Sequence, residues 1–259
     1  MVILRVDILL NQGLLIVFGT RLYGFVKTGV AVAALVFASL TTPAMALSDE
    51  ELKRGFFATV FGSEITRFGI QYRYVHKFSD VVRFRIHNLS AKNRTQEARR
   101  FINSLESKIS GLKVRIVNAG EAANFNLYIV DRENYGKTIR ERVERRPNAR
   151  ARGKCLVKSR FSRAGMIRSD AVIVSDEGDA LFQRCLIEEI LQGLGPLNES
   201  TELDKSVFND TSKHIVFTDF DRVILNMLYD RRIRNGVGKR SVAKVLDAVL
   251  RDTRRRLGL

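Results

Sequence analysis

The sequence predicts an α+β fold centred on a mixed, mostly parallel β-sheet, with a crossover helix, a central helix and a helical C-terminal subdomain. Residues 81–87 alternate apolar and polar side chains, which is the pattern of a strand with one buried face. A helical pattern at 94–109 and an apolar stretch at 112–117 follow, and such a strand–helix–strand crossover makes its two strands parallel. Residues 171–174 are continuously apolar, as expected of a central strand.

The N-terminal 46 residues have the composition of a secretory signal peptide. The basic residues Arg21 and Lys27 precede an apolar run at 29–40, and a small-residue pattern of the kind that signal peptidase cleaves ends at Ala46. We therefore expect cleavage near Ala46, export, and a periplasmic or extracellular location for the mature chain.

This interpretation divides the chain into three parts. Residues 1–46 form the expected signal peptide, and the first 20 of them are superfluous to it, which indicates an over-extended start. The alternative is a retained anchor that also uses the apolar run at 9–18. We predict a lead-in segment at 47–75 and one folded domain with C-terminal helices at 76–259.

The composition is strongly basic, with 44 Lys and Arg against 28 Asp and Glu. Three basic residues and one acidic residue lie in the first 46, so the rest of the chain keeps a net charge of +14. The charge is densest at 140–154, here named the basic segment, and a second basic run ends the chain at 254–256. A surface of this kind indicates anionic partners or simply a solvated, soluble face.

The partners that fit an exported basic protein are anionic envelope components (lipid headgroups, lipopolysaccharide or wall polymers) or an envelope protein. Nucleic acid is not expected, because the basic segment has no interleaved aromatic side chains on which bases would stack.

The remaining elements continue the fold prediction. Residues 124–130 are predicted as a third core strand, and the weak alternation at 154–161 indicates an exposed edge strand. The spacing of Thr218 and Asp221 is typical of a helix start and predicts a helix over 219–229. A last amphipathic helix is predicted over 241–257.

The central helix is expected between the strand at 171–174 and Gly195. Its apolar side chains recur with the period of one helix face, whereas Cys185, Glu188, Glu189 and Gln192 share the opposite side. Gly195 permits the positive φ that ends a helix, so the chain turns there and brings Asn198 back toward the polar side chains.

This stretch resembles the active-site helix of the metzincin branch of zincin metalloproteases, His-Glu-x-x-His-x-x-Gly-x-x-His. Glu188, Gln192 and Asn198 stand where that motif has its three zinc histidines, and Glu189 and Gly195 match its general base and its glycine. The resemblance implies a zincin-like fold with an active-site-type helix that lacks all three zinc ligands.

The chain is also similar to an exported bacterial family of uncharacterised proteins, domain of unknown function 2927. The similarity covers about 154–236 and implies fold and export without implying a reaction. It is carried by Cys185-x-x-Glu-Glu-x-x-Gln-x-Leu-Gly195, Ser206-Val-Phe-Asn-Asp210, Thr218-x-x-Asp221 and Leu228-Tyr-Asp230.

These side chains set the expected chemistry. Zinc prefers imidazole and thiolate ligands, whereas Glu188, Gln192 and Asn198 offer oxygens, so we expect neither a metal nor another cofactor. Glu189 is the candidate general base, and its neighbour Glu188 allows an acid–base pair. The favoured interpretation is that this polar face hydrogen-bonds the turn at 206–210 and the region of Thr218.

The predicted site residues thus divide by role. Glu189 and Glu188 are the catalytic candidates, and Gly195, Thr218 and Asp221 are structural. Binding is assigned to Gln192, Asn198 and Asp210.

Two functions follow from these assignments. The first is an exported zincin-like pseudoprotease that acts as a binding or interaction module of the cell envelope. The alternative is an atypical hydrolase that uses Glu189 with Glu188 as acid and base.

The chain contains two cysteines, Cys155 and Cys185. In an oxidising compartment we expect them to form a disulfide, and a bridge that closes about 30 residues stabilises a fold by roughly 3–4 kcal/mol in the chain-entropy model. The alternative is a pair of buried free thiols.

Overall fold

The structure, a computed structural model, describes residues 47–61, 73–209, 211 and 213–259. The expected signal peptide, part of the predicted lead-in and the candidate binding residue Asp210 lie outside the described residues. All described residues belong to one compact unit, Met45–Leu259.

A five-stranded sheet forms the centre of this unit, in the order β2-β1-β3-β5-β4. Neighbouring strands are parallel except for β4, which pairs antiparallel with β5 at the edge of the sheet. The prediction of a mixed, mostly parallel sheet in an α+β fold is therefore confirmed. The strands are β1 (Val82–Asn88), β2 (Val114–Ile116), β3 (Phe125–Val130), β4 (Cys155–Ser162) and β5 (Gly165–Val174).

Helices cover both faces of the sheet. None of the described helices combines the length and apolar character needed to cross a membrane. The helices are α1 (Asp49–Phe61), α2 (Thr95–Asn103), α3 (Leu105–Lys108), α4 (Arg132–Thr138), a π-helix (Ile139–Glu144), α5 (Asp179–Gln192), α6 (Asp219–Leu228) and α7 (Lys239–Leu257).

The alternation of side chains along the strands gives the sheet two different faces. The first face, which includes Phe84, Phe125 and Ile173, joins the main core with side chains of α1, α2, α5, α6 and α7. The second face is smaller in apolar area: Tyr128 and Val172 pack there with side chains of α4 and the π-helix. Polar side chains occupy the rest of this second face.

The segment predicted as a lead-in contains α1, which is part of the main core. Leu52 and Phe56 of this helix have no exposed surface. A Cβ atom on Gly55 would lie 2.3 Å from the Phe220 ring, so α1 packs directly against α6 at this glycine.

The crossover helix predicted over 94–109 is two helices, α2 and α3. The break is at Ser104, whose hydroxyl donates to the carbonyl of Phe101 at 2.8 Å. Its backbone N–H is shared between the carbonyls of Arg100 and Phe101, at 3.2 and 3.0 Å. Such local bonds of serine compete with the regular helical ladder.

A backbone pairing joins the segment before β1 to the segment before α7. The N–H of Val75 donates to Val237 at 2.9 Å, and the N–H of Gly236 donates back to Val75 at 3.0 Å. The N–H of Lys77 donates to the Asn235 side chain at 2.7 Å. These residues close the domain near the amino ends of the strands.

Candidate functional site

Helix α5 carries the side chains that the sequence singled out, and its second half is buried on every side. Cys185, Glu188, Glu189 and Gln192 are each at most 6% exposed. The apolar stripe on the opposite side is buried as well. The polar face of the helix is therefore buried. The periodicity of the sequence alone does not distinguish a buried polar face from a solvated one.

The two adjacent carboxyls of this helix have different surroundings. Glu188 lies 3.3 Å from the Nε of Arg184. Burial raises the pKa of Glu189 well above its usual value, and the charges of Glu188 and Glu199 raise it further, whereas Arg184 lowers it. A raised pKa favours the protonated form of Glu189, and a protonated carboxyl does not act as a general base.

The turn after α5 adds Glu199 to this group. Gln192 donates from Nε2 to the Oε1 of Glu199 at 2.5 Å. Asn198, placed beside Gln192 by the motif spacing, instead donates to the carbonyl of Thr59 in α1, from its backbone at 3.2 Å and from its side chain at 3.1 Å. Sequence reasoning missed Glu199, although a carboxylate next to the third ligand position was the available signal.

Gly195 has the conformation that the sequence predicted. Its φ is +144°, and a Cβ atom there would lie 2.6 Å from the carbonyl oxygen of His76 and 2.9 Å from Leu228. The helix itself ends three residues earlier, at Gln192. Gly195 thus permits a close approach of two backbone segments as well as the turn.

Ser206 and Val207 bond to the start of α6. The hydroxyl of Ser206 and the N–H of Val207 donate to the carboxylate of Asp221 at 2.6 and 3.2 Å. Thr218 and Asp221 form the predicted capping box of α6. Burial raises the pKa of Asp221 to about 6. The arrangement gives Thr218 and Asp221 a structural role.

Cys155 and Cys185 form the predicted disulfide, with their Cα atoms 5.8 Å apart. The bridge joins the edge strand β4 to helix α5, one turn ahead of Glu188. It therefore holds the edge of the sheet against the helix that carries the buried carboxyls.

In the part of the chain that the structure describes, no three His, Cys, Asp or Glu side chains come together as metal ligands. Around Glu189 the structure instead places other carboxyl groups, and the charges of Glu188 and Glu199 raise its pKa further.

The basic segment lies over the second face of the sheet and in the loop beyond it. Arg142, Arg145, Arg150 and Arg152 are exposed, and within the described residues none of these four forms an ion pair. The C-terminal run is more neutralised, since Arg254 lies 2.7 Å from Asp49. The basic segment therefore presents several exposed arginines without ion pairs within one short stretch of the chain.

Comparison with known protein families gives a match over most of the chain. The model of a family described as "Protein of unknown function (DUF2927)" matches residues 49–248. No curated protein matches the chain. The matched range begins at the first residue of α1 and ends within α7, so it includes the whole sheet and the site around α5.

Proposed function

The chain belongs to DUF2927, a family of proteins of unknown function, and within that family we propose that it is an exported, zincin-like pseudoprotease that binds anionic envelope components. The proposal has two parts, the absence of protease chemistry at α5 and the presence of a binding surface at the basic segment. The observation that carries it is the group of exposed arginines.

The first part rests on the positions at which a metzincin holds zinc. Glu188 is paired with Arg184, Gln192 with Glu199, and Asn198 with the Thr59 carbonyl. Glu189, the general base of the resemblance, is buried, and its burial raises its pKa. Each of the three ligand positions thus carries a carboxyl or amide side chain that already bonds to another group of the protein.

The second part rests on charge. Phosphate-bearing lipids and polysaccharides attract exposed guanidinium groups, and this attraction is screened over about 8–10 Å at moderate ionic strength. Arginine also binds phosphate oxygens through two parallel hydrogen bonds. The basic segment therefore favours a polyanionic surface as its partner.

The test is co-sedimentation of the mature protein with phosphatidylglycerol vesicles and with lipopolysaccharide. We expect binding at low salt that decreases steeply as salt is added, and N-terminal sequencing of envelope-derived protein is expected to begin at Leu47. Charge removal at four positions should abolish the binding: Arg142→Gln, Arg145→Gln, Arg150→Gln and Arg152→Gln.

A control variant removes the same charge from other exposed arginines: Arg99→Gln, Arg100→Gln, Arg231→Gln and Arg240→Gln. It should retain most of the binding. Equal losses in the two variants, or no binding at low salt, would reject the basic segment as the binding surface.

A second candidate function is favoured by the grouping of carboxyls around Glu189. Neighbouring carboxyls in different surroundings provide an acid and a base, here Glu189, whose pKa is raised by burial, and Glu188, which is paired with Arg184. This hydrolase would lose activity on Glu189→Gln while remaining folded. Activity of purified protein on peptide, ester or glycoside substrates, unaffected by chelators, would favour it over the binding module.

A further inference from the structure

A second polar cluster lies on the second face of the sheet, on the side opposite α5. It consists of one or two residues from each of three adjacent parallel strands. The strand register places His87 beside Tyr128 and Asn126 beside Asp170. Asn126, Tyr128 and Asp170 are each at most 6% exposed, so the cluster has a buried polar floor.

The floor is one continuous chain of hydrogen bonds. Arg168 donates to both oxygens of Asp170, at 2.7 and 2.8 Å. Asn126 donates from Nδ2 to Asp170 at 2.9 Å, which directs its Oδ1 toward the Nε2 of His87 at 3.2 Å. The Nε2 of His87 is therefore a donor, and its Nδ1 is the acceptor of a neutral ring.

The imidazole is held in this orientation and in its neutral form. Its ring stacks on Tyr128, with the two ring centres 4.5 Å apart. Burial lowers the pKa of His87, and the positive charges of Arg85 and Arg142 lower it further, against the opposing effects of Asn126 and Asp170. Within the described residues Nδ1 makes no hydrogen bond.

The rim of the cluster is cationic. Arg142 and Arg145 are exposed and without ion pairs within the described residues, and both act electrostatically on Tyr128. Arg85 donates from Nη2 to the backbone carbonyls of Asn118 and Glu121, and its buried Nε has no hydrogen-bond partner among the described residues. The neighbouring Lys158 is already neutralised by Glu144, at 2.6 Å.

The backbone that positions the rim is irregular. Arg142 belongs to the π-helix, and Arg145 follows it with a φ of +52°. Single π-helical turns and non-glycine residues with positive φ are uncommon and occur frequently at functional sites. Here the two irregularities determine where the two guanidinium groups lie.

A cavity of about 240 Å³ adjoins the rim and shares Arg142 with it. Its wall is mixed in character, with one apolar side chain and several groups able to bind hydroxyls: Leu89, Asn134, Lys137, Thr138, Glu141 and Arg142. The cavity offers room for an organic group next to the cationic rim.

We propose that the cluster of His87, Arg85, Arg142 and Arg145 is a binding site for a phosphomonoester, whose organic part occupies the adjoining cavity. The rim supplies donors for the anionic oxygens, and His87 Nδ1 supplies an acceptor for the proton that the monoanion of a phosphomonoester still carries at about pH 6. A phosphodiester has no such proton. This inference rests on the proposed binding function and specifies where and what the basic segment binds.

Two probes distinguish a soluble ligand from a lipid one. Glucose 1-phosphate is titrated while the His87 ring signals are followed by nuclear magnetic resonance, and vesicles containing phosphatidic acid, a monoester, are compared with phosphatidylglycerol vesicles, which present a diester. Saturable binding of either monoester, with an upward shift of the His87 pKa, supports the site. Response to glucose 1-phosphate indicates a soluble ligand, and response to phosphatidic acid alone indicates a lipid.

Two matched variants of the basic segment locate the binding. Arg142→Gln with Arg145→Gln should weaken monoester binding at least tenfold, whereas Arg150→Gln with Arg152→Gln should weaken it less than twofold. Equal effects of the two pairs, or equal binding of monoester and diester vesicles without a response of His87, would overturn the inference and leave the proposed function standing. No binding to any anionic probe would overturn both.

Discussion

The disulfide between Cys155 and Cys185 permits the most quantitative test. The two cysteines are separated by 30 residues. Closing a loop of that length removes conformational freedom from the unfolded chain, and the chain-entropy relation gives about 3.6 kcal/mol of stabilisation at 25 °C. Cys185 has no exposed surface, so alanine is the suitable replacement because it leaves no buried hydroxyl.

The measurement is urea unfolding of the oxidised protein, the reduced protein and the double variant Cys155→Ala, Cys185→Ala. With an m-value of about 2–3 kcal/mol/M, the loss of the bridge should lower the unfolding midpoint by roughly 1.2–1.8 M. In a thermal scan the same loss should lower the midpoint temperature of unfolding by about 7–14 °C for a domain of this size.

The double variant is its own control for reductant, since its midpoint must not change when reductant is added. Oxidised and reduced wild-type protein that unfold at the same urea concentration would refute the reasoning. A double variant much less stable than the reduced protein would instead assign the effect to packing around Cys185.

Three further predictions concern α5 and the turn after it. Glu189→Gln should unfold at the same urea concentration as the wild type near pH 5, and at a higher urea concentration than the wild type at pH 9. At pH 9 the folded wild type has to ionise a buried carboxyl or keep a proton on it, whereas the glutamine variant has no such cost. Gly195→Ala should destabilise by several kcal/mol, since its Cβ would lie 2.6 Å from a carbonyl oxygen. Wild-type protein should purify without zinc, whereas Glu188→His with Gln192→His should bind one zinc per chain with Glu199 as the third ligand, as elemental analysis and titration will show.

The sign of the pH effect follows from the raised pKa of Glu189. The proton is bound by folded and unfolded chains below about pH 4.5, and by the folded chain alone between that value and the raised pKa. The stabilisation is therefore present at low pH and is lost as pH rises through the folded pKa. The exposed Glu133→Gln should show no such difference, and a pH-independent Glu189→Gln effect would contradict the assignment.

The other two predictions have equally direct controls. Gly178 also has a positive φ, +108°, but a Cβ there meets nothing within 4 Å, so Gly178→Ala isolates backbone strain from the clash at Gly195. In the two-histidine variant, Glu199→Gln should remove zinc binding and Asn198→His should add little, because Asn198 is bonded to α1. A strong gain from Asn198→His would contradict the observed position of that side chain.

The strands were predictable because each has a local pattern. The alternation in 82–86 indicates a strand with one apolar face, and the continuous apolar run at 171–174 indicates a strand inside the sheet. The crossover rule then predicts that strands joined through a helix are parallel. The capping box at Thr218 and Asp221 was predictable for the same reason, since its two residues are three apart. The break at Ser104 was not, because a serine is tolerated at many helix positions.

The polar clusters were harder to predict because their members meet through tertiary packing. Glu199 reaches Gln192 through a turn whose path depends on contacts with α1. His87, Asn126 and Asp170 are far apart in sequence, and only the register of three strands brings them into one chain of hydrogen bonds. The alternation of side chains along each strand was the available signal. It predicts which residues share a face of the sheet, but it does not predict which residues of different strands lie side by side.

The pairing of residues 75–77 with 235–237 determines the order in which the domain is completed. A chain that emerges N-terminus first from a ribosome or a membrane pore presents Val75 long before Val237 exists or arrives. Cys155 and Cys185 both emerge in the interval, so their bridge is able to form on a sheet that is still open at one end. The last step of folding is then the docking of the C-terminal segment, and a chain truncated before Asn235 would remain cross-linked and unclosed.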